Sequence, residues 1–333
     1  MLNKGHHIVV MGTSAGGMEA LDKVIGQLPA GLPVSIFIVQ HMSPENNGQA
    51  LLSHLSKHKA FNCQLAKDGE SFKKGTIYIA PADNHLLVKK ETLLVTKGAR
   101  ENRCRPAVDP LFRSAAVTHG SSVIGVLLTG TLDDGTAGLV AIKKCGGVTV
   151  VQDPKDAAYP EMPQSALAHL KVDHCVPLAE MGQLLEKLIR KPPGKSKPIP
   201  QDIRTEARIA ERVLSDVAQV NTLGDQVPYN CPNCGGVLWE MNNPDLQRFR
   251  CHTGHSYTTT TLLASQSEKI EETLWVSLRM LEERKNLLNN MECKTLNSKE
   301  KKTCYTERVQ ETNVHIEKIR DMLRENFVSS ADL

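Results

Sequence analysis

The sequence predicts an α/β protein whose first half is a doubly wound, mostly parallel sheet with helices on both faces. Over about the first 190 residues, short continuous apolar runs alternate with segments of helical periodicity, which is the pattern of a parallel sheet buried on both sides. The chain has 333 residues, enough for one large core and a second, smaller domain.

The predicted elements of this sheet domain follow one another along the chain. Strands are expected at 6–12, 34–39, 76–80, 85–96 as a hairpin around Lys90-Glu91, 122–128, 147–152 and 174–178. Helices are expected at 17–28, 47–58, from Asp109-Pro110 onward, 136–145, 163–170 and 179–191. Pro29 ends the first helix, and an acidic residue followed by proline is a common helix start.

A proline-rich segment separates this domain from the rest of the chain. Four prolines between residues 191 and 200 exclude a helix or a central strand. The sequence therefore predicts a catalytic domain at 1–191, a semi-rigid linker at 192–203 and a C-terminal extension at 204–333. The extension is expected to contain an amphipathic helix at 204–217, a Cys/His module at 228–258, and long helices at 262–292 and 299–327 that form an antiparallel hairpin or an oligomerising pair.

Composition excludes several classes of protein. The net charge of +3 gives no argument for binding nucleic acid or an anionic membrane. A signal peptide and an apolar run long enough to span a membrane are both absent from the sequence, which predicts a cytoplasmic protein. Nine cysteines are an odd count, and six of them are scattered, which fits a reducing compartment better than a disulfide framework.

Three residue types of a hydrolytic relay follow three predicted strands. Ser14 follows the first strand, His41 the second, and Asp134 the strand at 122–128. A serine needs an imidazole to take its proton, and the imidazole needs a carboxylate to fix its tautomer. We expect neighbouring strands to bring the three together, with free N–H groups at the helix after Gly16-Gly17 close to Ser14.

Each residue also has a simpler interpretation. The stretch from Gly12 to Gly17 fits a G-x-S-x-G turn, but it is equally compatible with a phosphate cradle or a tight connection. His41 alone is compatible with a polar strand cap. Asp133 and Asp134 are compatible with ordinary turn residues before Gly135.

A second candidate site lies in the Cys/His module. Cys231 and Cys234 form a Cys-x-x-Cys pair, and Cys251 follows after sixteen intervening residues. This is zinc-ribbon spacing, and it predicts a structural Zn²⁺ with His255 as the preferred fourth ligand and His252 as the alternative.

The first half of the chain resembles the catalytic domain of the chemotaxis receptor methylesterases, the protein-glutamate methylesterase family. The blocks that carry the resemblance occur in the family's order and cover about residues 5–190; they are Gly12–Gly17, Val39–Met42, Tyr78–Pro81 with His85, Arg105–Asp109 with Leu111–Ser114, and Leu128–Gly130 with Asp134-Gly135. The resemblance implies a doubly wound α/β fold and a catalytic triad of Ser14, His41 and Asp134. The chain order Ser, His, Asp also differs from that of the α/β-hydrolases.

The resemblance further implies hydrolysis of glutamate methyl esters on the cytoplasmic bundle of chemoreceptors, deamidation of receptor glutamines, and no cofactor for the reaction. We expect Ala15, Gly16 and Thr131 to contribute oxyanion or substrate contacts. The family's Gly-Met-Gly-x-Asp-Gly pattern is altered here, since Thr131 and Leu132 replace methionine and the second glycine, and Asp133 could compete with Asp134.

Family members typically carry a receiver domain before the catalytic domain, whereas about five residues precede the first strand here. The expectation is a stand-alone form whose control is absent, in trans, or built into the extension, which resembles one found on some stand-alone relatives. Regulatory chemotaxis proteins are candidate partners for its helices. The alternative hypothesis is a receptor-binding scaffold with a degenerate esterase domain.

Overall fold

A computed structural model describes residues 7–195, 197–211, 217–242, 246–294 and 299–326. The chain divides into two compact units, Met1–Leu262 and Leu263–Leu333. The β-strands are β1 (Ile8–Thr13), β2 (Ser35–Gln40), β3 (Asn62–Leu65), β4 (Thr76–Ile79), β5 (His85–Val88), β6 (Leu93–Thr96), β7 (Val123–Leu127), β8 (Val148–Gln152), β9 (His174–Val176), β10 (Gly224–Asn230), β11 (Val237–Met241), β12 (Arg248–Cys251) and β13 (Ser256–Thr258). The α-helices are α1 (Gly17–Gly26), α2 (Gln49–Leu55), α3 (Val108–His119), α4 (Thr136–Lys144), α5 (Glu161–His169), α6 (Leu178–Arg190), α7 (Gln201–Glu211), α8 (Val217–Asn221), α9 (Thr259–Lys294) and α10 (Lys299–Asn326).

The first unit is built on a seven-stranded sheet in the order β3-β4-β2-β1-β7-β8-β9. Every neighbouring pair in this sheet is parallel, so the predicted doubly wound parallel sheet is confirmed. The chain moves outward from β1 first to one side and later to the other. Such a reversal opens a crevice at the carboxyl ends of the central strands.

Apolar side chains cover both faces of the sheet. In β1, Ile8 and Val10 belong to one buried cluster, and Val9 and Met11 belong to the other. Successive side chains of a strand point to opposite faces, so a strand buried on both sides must be apolar at every position. This is why the central strands read as continuous apolar runs.

The sequence did not predict the edge strand β3. Its four residues, Asn62 to Leu65, are exposed or partly exposed, so they lack the apolar run that marks the central strands. The hairpin expected at 85–96 is present as the antiparallel pair β5 and β6.

The Cys/His module lies in a four-stranded antiparallel sheet in the order β10-β11-β12-β13. This sheet belongs to the first compact unit, although the sequence placed residues 204–333 in a separate extension. The proline-rich segment also lies against the sheet domain, because a Cβ at Gly146 would come within 3.2 Å of Lys197. The short helix expected at 204–217 is α7, which begins at Gln201, and residues 212–216 lie outside the described residues.

The second unit is helical, as predicted. An ion pair of 3.0 Å joins Glu282 of α9 to Arg320 of α10. Residue 327, the predicted end of the last helix, lies outside the described residues. Among the described helices, none is long and apolar enough to cross a membrane.

Candidate active site

Ser14 occupies the turn between β1 and α1. Its N–H donates to the carbonyl of Thr129 at 3.0 Å, and its own carbonyl accepts a bond from Gln40 Nε2 at 2.7 Å. His41 directly follows the adjoining strand β2, and its N–H donates to the Thr13 carbonyl at 3.0 Å. These bonds place Ser14 between the ends of β2 and β7, and Ser14 and His41 line the same open cleft.

His41 and Asp134 form a close, buried pair. His41 Nε2 lies 2.7 Å from Asp134 Oδ2, and the aspartate side chain is only 2% exposed. The sequence placed these residues after different strands, and the structure brings their side chains into contact. Because Nε2 faces the carboxylate, Nδ1 is the ring nitrogen left to accept a proton.

A ring of donors holds the Asp134 carboxylate. Oδ2 also accepts the Val108 N–H at 2.6 Å, and Oδ1 accepts bonds from Asn102 Nδ2 at 3.0 Å, the Asp109 N–H at 3.2 Å and the Gly135 N–H at 3.0 Å. Two of these N–H groups belong to the first turn of α3, whose positive dipole end favours an anion. Asp134 is therefore fixed in place by groups from three separate segments.

The pKa values of the site follow from this arrangement. Burial raises the pKa of Asp134, but bonds from His41 and the surrounding donors outweigh burial and hold it below the ordinary value. Burial and the charge of Asp134 raise the pKa of Asp109 to about 7. Burial lowers the pKa of His41, yet the electrostatic interactions and hydrogen bonds with Cys104 and Asp134 outweigh burial and raise that pKa well above its ordinary value. His41 is thus protonated over a wider pH range than a free imidazole.

Cys104 is a site residue that the sequence did not reveal. Its Sγ lies 3.5 Å from His41 Nδ1. Cys104 is on the irregular segment before α3, and nothing in its local sequence distinguishes it from the other scattered cysteines. Asn102, which bonds Asp134, was missed for the same reason.

The predicted oxyanion residues have different surroundings. Among the contacts of the described residues, the backbone N–H groups of Ala15 and Gly16 have no acceptor, and Gly16 has a left-handed φ of 74° just before α1. Thr131 follows Gly130, where an added Cβ would lie 2.7 Å from Ser14 Cβ. Ala15 and Gly16 therefore offer donors beside Ser14. For Thr131 the structure gives only its position in the chain next to Gly130, which lies close to Ser14.

Two further positions of the turn before Gly135 are the altered Leu132 and Asp133, the neighbour that could compete with Asp134. Leu132 has a left-handed φ of 62°, a backbone conformation that favours glycine. Burial raises the pKa of Asp133, and the hydroxyls of Thr258 and Thr260 oppose that shift. The carboxylate that contacts His41 is that of Asp134.

Comparison with known proteins identifies the family. Residues 9–185, more than half of the chain, match the CheB methylesterase family. The chain belongs to the CheB methylesterase family. A CheB relative from Leptospira interrogans is 36% identical over 184 residues, which are 55% of this chain and 95% of that protein. One from Methanosarcina mazei, named protein-glutamate methylesterase/protein-glutamine glutaminase 2, is 33% identical over 55% of this chain and 52% of its own length.

A solved CheB structure resembles the first half of the chain. The crystal structure of the Thermotoga maritima CheB methylesterase catalytic domain matches with a TM-score of 0.53 and 35% identity, over 55% of this chain and 98% of that domain. The chain spans about half the length of the Methanosarcina relative. These matches agree with the α/β fold expected from the CheB resemblance.

The predicted metal ligands lie beyond the CheB match. One ligand atom each from Cys231, Cys234, Cys251 and His255 lies within 4.8 Å of the others. This group contains His255, which the sequence preferred as the fourth member, rather than His252.

Proposed function

We propose that this chain is a serine hydrolase that removes methyl esters from glutamate side chains of chemoreceptors and deamidates glutamine side chains. The observation that supports this most strongly is the 2.7 Å contact between His41 and Asp134, since His41 and Ser14 directly follow the adjoining strands β2 and β1 and line one cleft. The names of the relatives state both activities. A binding surface alone would not need a buried imidazole–carboxylate pair at a serine turn.

The proposed reaction assigns one role to each residue. Ser14 Oγ attacks the ester carbonyl while His41 Nδ1 takes the hydroxyl proton, and the N–H groups of Ala15 and Gly16 stabilise the oxyanion. His41 then donates its proton to the departing methoxide, so methanol leaves and a glutamyl ester remains on Ser14. Water activated by His41 releases the glutamate, and Asp134 orients the ring and balances its charge throughout. With a glutamine substrate, ammonia leaves instead of methanol.

Cys104 is the competing nucleophile. Its thiol contacts the same His41 nitrogen at 3.5 Å, and a thiol beside an imidazole can attack a carbonyl. We favour Ser14 because it lines the open cleft and has the donors of Ala15 and Gly16 beside it. Ser14 Oγ must reach Nδ1 in the reacting complex, at the position that Cys104 now approaches.

The test measures methanol released from methylated chemoreceptor cytoplasmic fragments by the full chain. We expect Ser14→Ala to lower the rate by about 10⁴-fold or more. Ser56→Ala, an exposed serine at the end of α2, is the matched control and should keep the parental rate.

The outcomes separate three hypotheses. Loss of activity in Ser14→Ala but not in Cys104→Ser supports the serine mechanism, and the reverse pattern identifies a thiol nucleophile. A parent protein that binds the fragments but releases no methanol or ammonia contradicts the enzyme and supports a receptor-binding scaffold.

We also propose that the second unit docks regulatory chemotaxis proteins. Apolar side chains such as Ile270, Trp275 and Met280 are more than half exposed on α9, an arrangement typical of an interaction surface. Trp275 emission should shift when such a protein is added at increasing concentration. Unchanged emission of the parent, alongside a Trp275→Phe control that removes the probe, would argue against docking here.

A further inference from the structure

The four Cys/His ligand atoms have the spacing of a tetrahedral metal site. Cys234 Sγ lies 3.8 Å from Cys251 Sγ, and Cys251 Sγ lies 3.5 Å from His255 Nδ1. A tetrahedral ion with metal–sulfur bonds of about 2.3 Å and metal–nitrogen bonds of about 2.0–2.1 Å would separate these atoms by about 3.8 and 3.5 Å. The observed spacing is that of ligands around one small ion, and the thiols are far beyond the disulfide bond length of about 2.05 Å.

Two tight backbone turns hold the ligands in these positions. The Cys231 N–H donates to Gly236 at 2.7 Å, and the Gly235 N–H donates back to Cys231 at 2.8 Å. In the second turn, the Cys251 N–H donates to His255 at 3.0 Å, and the Gly254 N–H donates to Cys251 at 3.0 Å. Three thiolates and one imidazole form a closed donor set that favours Zn²⁺ in a structural role.

The residue that follows the second of these turns contacts the catalytic half of the chain. Ser256 follows the ligand His255, and its carbonyl accepts the N–H of Asn102 at 2.8 Å. Ser256 also pairs with Glu101 as a parallel bridge. The residue after a metal ligand therefore holds the segment that carries Asn102.

Asn102 connects that contact to the candidate active site. While its backbone binds Ser256, its side-chain Nδ2 donates to Asp134 at 3.0 Å and to Asp109 at 2.9 Å. Asn102 and Arg103 adopt left-handed φ values of 49° and 70°. Such backbone is costly for residues other than glycine and persists where surrounding contacts hold it.

A buried charge cluster fixes the Cys/His module against the same segment. Arg250 of β12 pairs with Glu101 at 3.1 Å and with Glu206 of α7 at 3.2 Å. Arg248 pairs with Glu206 at 2.8 Å, and Arg113 of α3 pairs with Glu101 at 2.7 Å. All five side chains are buried. Breaking one buried pair leaves an uncompensated charge, so the module is held rigidly beside Glu101, the neighbour of Asn102.

We infer that the Cys/His module binds one Zn²⁺ through Cys231, Cys234, Cys251 and His255, and that the metal-bound module positions Asp134 by holding Asn102. Zinc fixes the turn that contains His255. Ser256 follows that turn and holds the backbone of Asn102, and the Asn102 side chain in turn holds the Asp134 carboxylate. Asn102 is a positioning residue in this scheme. The effect on turnover rests on the proposed hydrolase function, whereas the metal site and the link to Asn102 do not.

The metal is tested on the full chain by elemental analysis. We expect one zinc per chain, its removal by a chelator, and its return on adding Zn²⁺ alone. Cys231→Ser should lose the metal, and Cys175→Ser, at an exposed cysteine on β9, should keep it. If Cys231→Ser does not fold, the reversible removal of zinc from the parent provides the same test.

The link is tested by hydrogen exchange, which needs no turnover. Removing zinc should speed exchange of the Asn102 N–H, which is bonded to Ser256, while the amides of the central strand β1 stay protected. Re-adding Zn²⁺ should restore the protection. A zinc-free chain that keeps full protection at Asn102 overturns the link, and a chain that holds far less than one zinc overturns the metal site.

Turnover supplies the third readout. Removing zinc or replacing Asn102 in Asn102→Ala should each lower kcat by about 10-fold or more with little change in KM, because the Asp134 carboxylate loses a charge-assisted bond. Removing zinc from the Asn102→Ala variant should lower kcat only slightly further, since both changes break the same chain of contacts. If each change lowered kcat by its full factor independently of the other, the link would be contradicted. A parent that is inactive but shows the zinc-dependent exchange refutes only the proposed hydrolase function.

Discussion

The sulfur of Cys104 lies 3.5 Å from Nδ1 of His41, the ring nitrogen that does not face Asp134. The imidazole is therefore placed between a carboxylate and a thiol, and negative charge on either partner favours its protonated form. A general base must first lose that proton, so the contact bears directly on the pH at which the site can work.

We predict that Cys104→Ser shifts the pH dependence of activity to lower pH. The contact with Cys104 contributes to the raised pKa of His41, and activity should rise with pH as His41 becomes neutral. Weakening that contact lowers the pKa of His41, so kcat/KM should reach its plateau at lower pH. The measurement is kcat/KM against pH, with Cys175→Ser as the control. An unchanged profile would show that the contact with Cys104 does not raise the pKa of His41 in the working enzyme.

We predict that the raised pKa of Asp109 gives a contribution to stability that is lost as pH rises. Burial and the Asp134 charge raise its folded-state pKa from 3.8 to about 7, so the folded chain binds a proton there that the unfolded chain has released. The contribution is fully present below about pH 3.8 and disappears as pH rises toward 7. Between these values the stability difference between parent and Asp109→Asn should change by at most about 1.4 kcal/mol per pH unit. Urea unfolding across this range measures the difference, and a constant gap would contradict the raised pKa.

We predict that glycine and valine at position 132 have different effects on the free energy of unfolding. Its φ of 62° is left-handed, which costs a residue with a Cβ about 1–2 kcal/mol and is worse for a β-branched side chain. Leu132→Gly should therefore preserve or increase the free energy of unfolding, and Leu132→Val should decrease it by about 1 kcal/mol or more. Denaturant unfolding of both variants checks the order. The reverse ranking would show that the contacts of the leucine side chain outweigh the backbone cost.

We predict that a single methyl group added at Gly130 displaces Ser14. A Cβ there would lie 2.7 Å from Ser14 Cβ and 2.1 Å from Met162 Sδ. Met162 can adjust, but Ser14 is held by backbone bonds to Thr129 and Gln40. Gly130→Ala should lower kcat by about 10-fold or more, because small displacements of a nucleophile are costly. Gly194→Ala, where nothing lies within 4 Å, should leave the rate unchanged, and equal rates for both variants would contradict the prediction.

Sequence patterns predicted the sheet domain well where the strands are buried on both faces. Continuous apolar runs marked β1, β2 and β7, and the residues that follow those strands, together with the CheB resemblance, indicated Ser14, His41 and Asp134. The edge strand β3 was missed because its residues are partly exposed and carry no apolar signal. Its pairing with β4 is a tertiary contact.

Charged residues show where sequence reasoning failed. Glu101, Glu206, Arg113, Arg248 and Arg250 are ordinary surface residues by composition, but they are buried together because each charge meets an opposite one from a distant segment. Burial of a charge depends on its partner, and the partner lies up to about 150 residues away along the chain in this case, as Glu101 and Arg250 show. A boundary drawn at the proline-rich segment could not reveal this packing.

The sequence by itself determined the parallel α/β fold, the serine turn and the Cys/His spacing typical of a metal site, since these follow from local periodicity and short motifs. Only the tertiary structure decided that Asp134 rather than Asp133 faces His41, that Cys104 approaches the same ring, and that Asn102 joins the Cys/His module to the candidate active site. The physical reason is the distance along the chain over which each kind of interaction acts. Hydrophobic periodicity and turn chemistry act over a few neighbouring residues, whereas these contacts are made by side chains that meet only when the strands and loops are packed.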